Sequence, residues 1–416
     1  MSKKRVVITG LAALTSLGND LESTWNNLLQ GKSGIAPITL FDTKDFDARI
    51  AGEVKNFNPE NFGIPFKQAK RMDRFVQFGV ATALMLMKDS HYTITEANAD
   101  DTSVIVGVGL GGLETIEIFY DKLRASGPNR ISPFFIPMLI PNMAPGQISI
   151  FTGARGANMV TTSACASGLH AIAIAYTDII LGRATASITG AVESTITPMG
   201  ISGFTALKAL STRNDEPEKA SRPFDKNRNG FVMGEGAGML LLEDLDNALA
   251  RGATIYAEIV GYGTSADAYH MTAPREDASG MAKSMANAIK DAGLTPDDID
   301  HINAHGTSTH LNDACETLAI KNVFGERAKK IPITANKSQI GHLLGAAGGI
   351  ESVFSVLTLY HGIIPGTINY ETPDPACDLD YVTEGPRKAE LTHVLCNNFG
   401  FGGTNASLLF KRWSGK

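Results

Sequence analysis

A strand that breaks into small residues and restarts as a long apolar helix constrains this chain more than any other stretch. Residues 159–162 read as the end of a short buried strand, and Ser163-Ala164 as a tight turn. From Ala166 onward Leu169, Ile172, Ala173, Tyr176, Ile179 and Ile180 recur at helical spacing, with Gly182 as the stop. Cys165 therefore stands where a helix begins, among neighbours too small to shield it. Unpaired N–H groups and the positive end of the helix dipole favour a thiolate at such a place. The geometry is that of a nucleophile elbow with sulfur in place of oxygen. A buried cysteine packed as a small hydrophobe is the other reading of the same stretch.

Strands and helices alternate along the whole chain. A strand at 6–8 runs into a loop of small residues at 10–18, and Asn19 or Asp20 caps a helix carrying Trp25, Leu28 and Leu29. Residues 32–66 read as irregular. A basic run at 66–74 leads into a helix with Phe75, Phe78, Ala81 and Met85 on one face. Further strands are expected at 103–108, 186–191 and 239–243, with a Pro- and Met-rich loop at 127–147. After Gly252 the scheme restarts, with strands at 255–262, 299–304, 331–335, 394–397 and 406–410 and helices at 282–292 and 345–361. This alternation predicts an α/β fold with a mixed or parallel sheet between helical layers. With 416 residues there is core for two large halves, divided as 1–252 and 253–416.

A net charge of −6 argues against general nucleic-acid binding. Cys165, Cys315, Cys377 and Cys396 lack the paired spacing of a disulfide framework or a metal site, which suits a reducing compartment. No apolar run is long enough to cross a bilayer, and no signal-peptide run precedes Val6. A cytoplasmic protein without resident metal is expected. Gly107, Gly109 and Gly112 match a dinucleotide fingerprint nominally, but no acidic residue follows about 20 residues on beyond a further strand. Close backbone packing beside a pocket is the preferred reading there.

Two histidines stand where strands give way to loops. His305 lies within Asn303-Ala304-His305-Gly306-Thr307-Ser308-Thr309, and His342 within the glycine-rich block 337–348. Strand carboxyl ends are where α/β folds assemble sites. Two such histidines in a chain with a cysteine at an elbow point to one shared site, although a lone histidine is more often a core residue. His310 lies near enough to belong to it, whereas His170 reads as a packing residue. The block 396–405 is rich in glycine. It either lets N–H groups approach a reacting oxygen or forms a flexible hairpin.

Taken together, the blocks 161–168, 303–309, 337–348 and 398–405 resemble the four signature blocks of the β-ketoacyl-[acyl-carrier-protein] synthases. The bacterial type II fatty acid elongation enzymes are the nearest kind, and the resemblance runs from Val6 to Phe410. It implies a thiolase-like fold, two related α/β halves packed as five layers. The first half would carry the cysteine, and the second both histidines and a glycine-rich gate. By position, Cys165 resembles the acyl-accepting nucleophile, and His305 and His342 the pair that drives malonyl decarboxylation, supported by Lys337. Phe401 resembles the gate, with Asp267 in the partnering loop, and its N–H and that of Cys165 resemble the oxyanion hole. Thr307 and Thr309 match the grip on the phosphopantetheine arm, and Leu110 and Phe204 the acyl tunnel. Lys67, Lys70, Arg71, Arg130 and Lys208 fall where the family meets its acidic carrier; taken alone, the basic run also reads as a solvated helix start.

The resemblance further implies acyl carrier protein as partner, a homodimer, and no cofactor beyond the carrier-borne arm. One departure stands out. Where the family has Pro, a small residue and Gly before Asp313, this chain has His310, Leu311 and Asn312. A biosynthetic thiolase using Cys396 as base and an aromatic polyketide ketosynthase subunit are the enzymatic rivals. A chain-length factor is the non-enzymatic one, disfavoured because such proteins lack the nucleophile.

Overall fold

The computed structural model describes residues 4–415; residues 1–3, the start of the N-terminus read above, and residue 416 lie outside it. The main sheet contains β1 (Val6–Leu14), β2 (Thr102–Gly107), β3 (Asn158–Thr161), β4 (Ala186–Glu193), β5 (Gly236–Asp244), β6 (Ala257–Ala266), β7 (His301–Asn303), β8 (Ile333–Thr334), β9 (His393–Gly400) and β10 (Thr404–Arg412). Their order is β3-β2-β4-β5-β1-β6-β10-β9-β7-β8. Each set of five has the same plan, 3-2-4-5-1 when its own strands are numbered in chain order. In both sets the outer pairs are parallel and the inner pairs antiparallel. Sequence likeness between the halves is too weak to prove a repeat; the matching strand plans reveal one. Among the described residues the two sets pair only where Val6–Ile8 of β1 meet 257–259 of β6.

The helices of eight residues or more are α1 (Leu21–Leu29), α2 (Arg74–Ser90), α3 (Leu113–Ser126), α4 (Met143–Thr152), α5 (Ser167–Ile180), α6 (Pro198–Ala206), α7 (Ser279–Asp291), α8 (His310–Phe324) and α9 (Ala347–His361). α5 and α9 occupy the same place in the two halves, each between the third and fourth strands of its set. Both are sandwiched between the two sets of strands, and α9 is buried at every position from Ala347 to Leu359. That explains its apolar residues on all sides. α2 and α4 cover the outer face of the first set, α7 and α8 that of the second. The result is five layers, α-β-α-β-α.

Several local expectations change. β1 continues through Leu14 instead of ending at Ile8, because every one of its residues is buried and small side chains fit a strand covered on both faces. Its ladder shifts register between Ile8 and Gly10. The segment 127–147 is largely helical: Phe135–Leu139 forms one short helix and α4 begins at Met143. Pro145 sits in the first turn of α4, where a missing N–H costs little. Asp20, not Asn19, caps α1, accepting from Ser23 N at 2.7 Å. The basic run contains the short helix Phe66–Ala69 and ends at Asp73, which caps α2 by accepting from Phe75 N at 3.2 Å.

Candidate active site

Cys165 lies between β3 and α5, two residues ahead of the first helical residue. The preceding Ala164 has φ of +50°, a left-handed conformation unusual for a residue with a Cβ. That kink is the elbow. Gly107 at the end of β2 packs so closely behind it that a Cβ there would stand 2.5 Å from the Ser167 carbonyl carbon.

His342 is delivered from the other half of the molecule. Its backbone is clamped by the strand-like segment before β5: His342 N donates to Val232 O at 2.7 Å, and Gly234 N donates to His342 O at 2.9 Å. Its Nε2 lies 3.0 Å from Cys165 Sγ. Leu344 N–H donates to His342 Nδ1 at 3.2 Å, so Nδ1 is the unprotonated nitrogen and the hydrogen sits on Nε2.

His305 follows β7 and stands edge-on to His342, ring centroids 5.2 Å apart. Glu316 of α8 holds its backbone, accepting from His305 N and Gly306 N at 2.8 Å each. The Nδ1 of His305 faces two donors, Asn398 Nδ2 at 3.2 Å and Lys337 Nζ at 3.3 Å. The Asn398 amide cannot be reversed, because the same Nδ2 donates to Glu351 Oε2 at 2.7 Å. The His305 hydrogen therefore also sits on Nε2. Both imidazoles are fixed in the same tautomer, each with its Nδ1 taken.

Lys337 and Glu351 form a buried ion pair, each side chain 1% exposed, and Lys337 Nζ also donates to His305 O at 2.6 Å. Burial, with Lys337 adding to it, holds both histidines well below the ordinary histidine range, so both are neutral. Burial also pushes the Cys165 thiol up to about 12, with Lys337 pulling against it. This corrects the expectation of a resting thiolate: the turn at the mouth of α5 offers N–H groups, but loss of water outweighs them. The resting set is a thiol and two neutral imidazoles whose ligand atoms lie within 4.8 Å of one another. A soft metal ion can use such a triplet.

These groups open onto a cavity of about 540 Å³. Leu110, Phe204, Thr307, Thr309, Asp267, Phe401 and Lys208 all line it, so the structure gathers these expected residues around Cys165. Thr307 and Thr309 bond to each other through their hydroxyls at 2.9 Å. Thr309 caps α8, accepting from Asn312 N at 3.3 Å. His310 opens that helix instead of continuing a loop. Rings of Phe401, Phe204, Phe231 and His342 succeed one another at centroid distances of 6.4, 5.4 and 5.2 Å.

The loop carrying Phe401 is tied to the segment after β6. Asp267 N donates to Gly403 O at 2.9 Å, Asn405 Nδ2 donates to Asp267 Oδ1 at 2.7 Å, and Gly402 N donates to Met271 O at 2.8 Å. A Cβ on Gly400 would stand 3.2 Å from Cys165 N, which brings this loop's backbone against that of the cysteine.

The remaining expected residues lie outside the cavity lining. Lys67, Lys70, Arg71 and Arg130 are exposed; Lys70 lies over the Phe66 ring at 4.2 Å and Arg71 over the Phe134 ring at 4.5 Å. Cys396 is fully buried on β9 and absent from the lining, which removes it as a base. The sequence reading also missed Glu351, Asn398 and Glu316. Glu351 had a signal, being the only acidic residue in α9. Asn398 and Glu316 act through contacts that spacing does not reveal.

Comparison with known proteins agrees with this geometry. The model of the β-ketoacyl synthase N-terminal domain matches residues 3–248, and that of the C-terminal domain matches 256–371. A 3-oxoacyl-[acyl-carrier-protein] synthase 2 of Staphylococcus aureus is 51% identical over 410 residues, covering 99% of each chain. A β-ketoacyl synthase of Burkholderia phymatum superposes with a TM-score of 0.92 at 36% identity, covering 99% of this chain and all of that one. A type II polyketide ketosynthase, solved in complex with its acyl-carrier protein, superposes with a TM-score of 0.91 at 33% identity, over 99% of this chain and all of that one.

Proposed function

The chain belongs to the β-ketoacyl synthase family, and from that premise we infer that it is a 3-oxoacyl-[acyl-carrier-protein] synthase of fatty acid elongation. It joins a cysteine-bound acyl chain to malonyl carried on acyl carrier protein, with loss of carbon dioxide. The observation that carries this reading is Cys165 Sγ at 3.0 Å from His342 Nε2, with His305 beside them at one cavity.

In the first step the Cys165 sulfur attacks an acyl thioester, the C–S bond to the carrier breaks, and the Cys165 proton passes to the departing carrier sulfur, which leaves as a thiol. One thioester replaces another. In the second step the malonyl C–C bond breaks, carbon dioxide leaves, and the electron pair moves into the thioester as an enolate. The two Nε2–H groups donate to that developing oxygen, and neutral donors suffice because no strong base is needed. The enolate carbon then attacks the acyl-Cys165 carbonyl, whose oxygen the N–H groups of Cys165 and Phe401 receive. The C–S bond breaks, and one proton taken up from solvent restores the thiol. Phe401 and Asp267 close the cavity against water, Leu110 and Phe204 hold the acyl chain, and Thr307 and Thr309 hold the arm.

The carrier docks on Lys67, Lys70, Arg71, Arg130 and Lys208. The protein acts in the cytoplasm as a homodimer without resident metal or other cofactor. Among the described residues no helix is long and apolar enough to cross a membrane. The chain divides at 252/253, a division supported by the repeated strand plan and by family models that end at 248 and restart at 256.

Labelled acyl groups supplied on acyl carrier protein should attach to the wild type and not to Cys165→Ala; equal labelling sinks the assignment. His305→Ala and His342→Ala should still acylate but lose carbon dioxide release by about 10²–10³-fold, the scale of a lost oxyanion donor.

A further inference from the structure

Glu193 is a buried carboxylate that the chemistry above leaves unused. It ends β4, is fully buried, and accepts main-chain hydrogen bonds from two separate loops. The turn after β2 supplies Gly109 N at 2.7 Å, Leu110 N at 3.2 Å and Gly111 N at 3.1 Å. The segment that carries His342 supplies Gly345 N at 3.2 Å. The loops are pressed together at this point. A Cβ on Gly109 would stand 2.3 Å from Glu193 Oε2, and one on Gly345 would stand 2.1 Å from Gly109 N.

Each loop has a different task in the cavity. Leu110 offers a half-exposed side chain, 49% accessible, to the wall where the acyl chain lies. Gly345 follows Leu344, whose N–H keeps the hydrogen of His342 on Nε2. One carboxylate thus joins the wall an acyl chain presses on to the backbone that aims a decarboxylating donor. Main-chain N–H groups cannot rotate away, so a displacement at Leu110 is passed on and not absorbed.

We propose that Glu193 is a positioning residue that makes malonyl decarboxylation depend on acyl loading of Cys165. The inference rests on the synthase reading above. It explains how the chain avoids spending malonyl groups on an empty cysteine: His342 is aimed best when Leu110 is held by an acyl chain.

The test is carbon dioxide release from malonyl-carrier by free and by acyl-loaded enzyme, expressed as a loaded-to-free ratio. In the wild type this ratio should exceed one. Glu193→Gln swaps one acceptor oxygen for an NH₂ that faces fixed N–H donors, and should lose the wild-type excess, bringing the ratio to about one. An unchanged ratio, or a uniform slowing of both rates, overturns the proposal, because a purely structural role lowers both alike. If Glu193→Gln does not fold, Leu110→Ala cuts the same link from the acyl side, and a wild-type ratio there overturns it equally. A wild-type enzyme that releases carbon dioxide without regard to loading defeats this inference alone. One that releases none under any loading defeats the synthase reading.

Discussion

Cys165 is a thiol at rest because the protein removes water from it faster than it supplies positive charge. A free cysteine ionises near pH 8.5, and burial pushes this one up to about 12. Alkylation by iodoacetamide should therefore keep accelerating above pH 9; a plateau near pH 8 would contradict the burial argument. The Lys337–Glu351 pair is equally exposed to test. Removing one partner leaves the other charged and dry, so Glu351→Ala should cost about 3–5 kcal/mol in urea unfolding, and the Lys337 donor to His305 should lose its anchor. Cys165, His305 and His342 were legible in the sequence because their chemistry demands those residue types, the cysteine among small residues at a helix start and each histidine beside glycine. Asn398 and Glu193 were not. An amide or a carboxylate that positions another group is recognised only by what it touches, and those partners lie 47 and 93 residues away for Asn398 and 82–84 for three of the N–H groups on Glu193, the fourth being 152 away.

Between elements, the site depends on how tightly α5 and α9 cross. A Cβ on Gly168 would stand 2.6 Å from Gly349 N, and one on Gly349 would stand 2.5 Å from Gly238 O. No side chain separates these backbones, so the start of α5 and the charged turn of α9 share one site. Gly349→Ala should force α9 away from β5, costing about 1–3 kcal/mol in thermal unfolding. Acylation at Cys165 should survive better than decarboxylation, because the displaced helix carries Glu351; equal loss of both would show a general collapse. Phe354, fully buried on the same helix, should cost about 3–5 kcal/mol as Phe354→Ala. The helical spacing of α5 and α9 was readable from their apolar residues. The segment 127–147 hides its helices because Pro and Met suggest a loop, whereas a Pro in a first turn is compatible with a helix. β1 outruns its sequence signal for a similar reason: small residues signal turns, until burial on both faces makes them the ones that fit.

For the molecule as a whole, the carrier docking proposed above turns on charge. Exposed Lys67, Lys70 and Arg71 carry positive charge on a chain whose net charge is −6. Reversing all three to Glu should raise the Michaelis constant for carrier-bound substrate about tenfold and flatten its salt dependence, with little change in turnover. An unchanged constant would leave them as ordinary surface. The five-layer plan followed from the family likeness, but the alternation of strands and helices did not reveal strand order, since pairing links residues hundreds of positions apart. That order has a consequence for how the protein comes into being. β10, the last of the ten strands to be synthesised, belongs in the interior of the sheet between β6 and β9, and β1, the first, waits for β5 and β6. The growing polypeptide must therefore hold open a slot for a strand it has not yet made. Until that strand arrives, the loop bearing Phe401 has no frame, and a ribosome-bound fragment ending before it holds all three reactive side chains without a working catalyst.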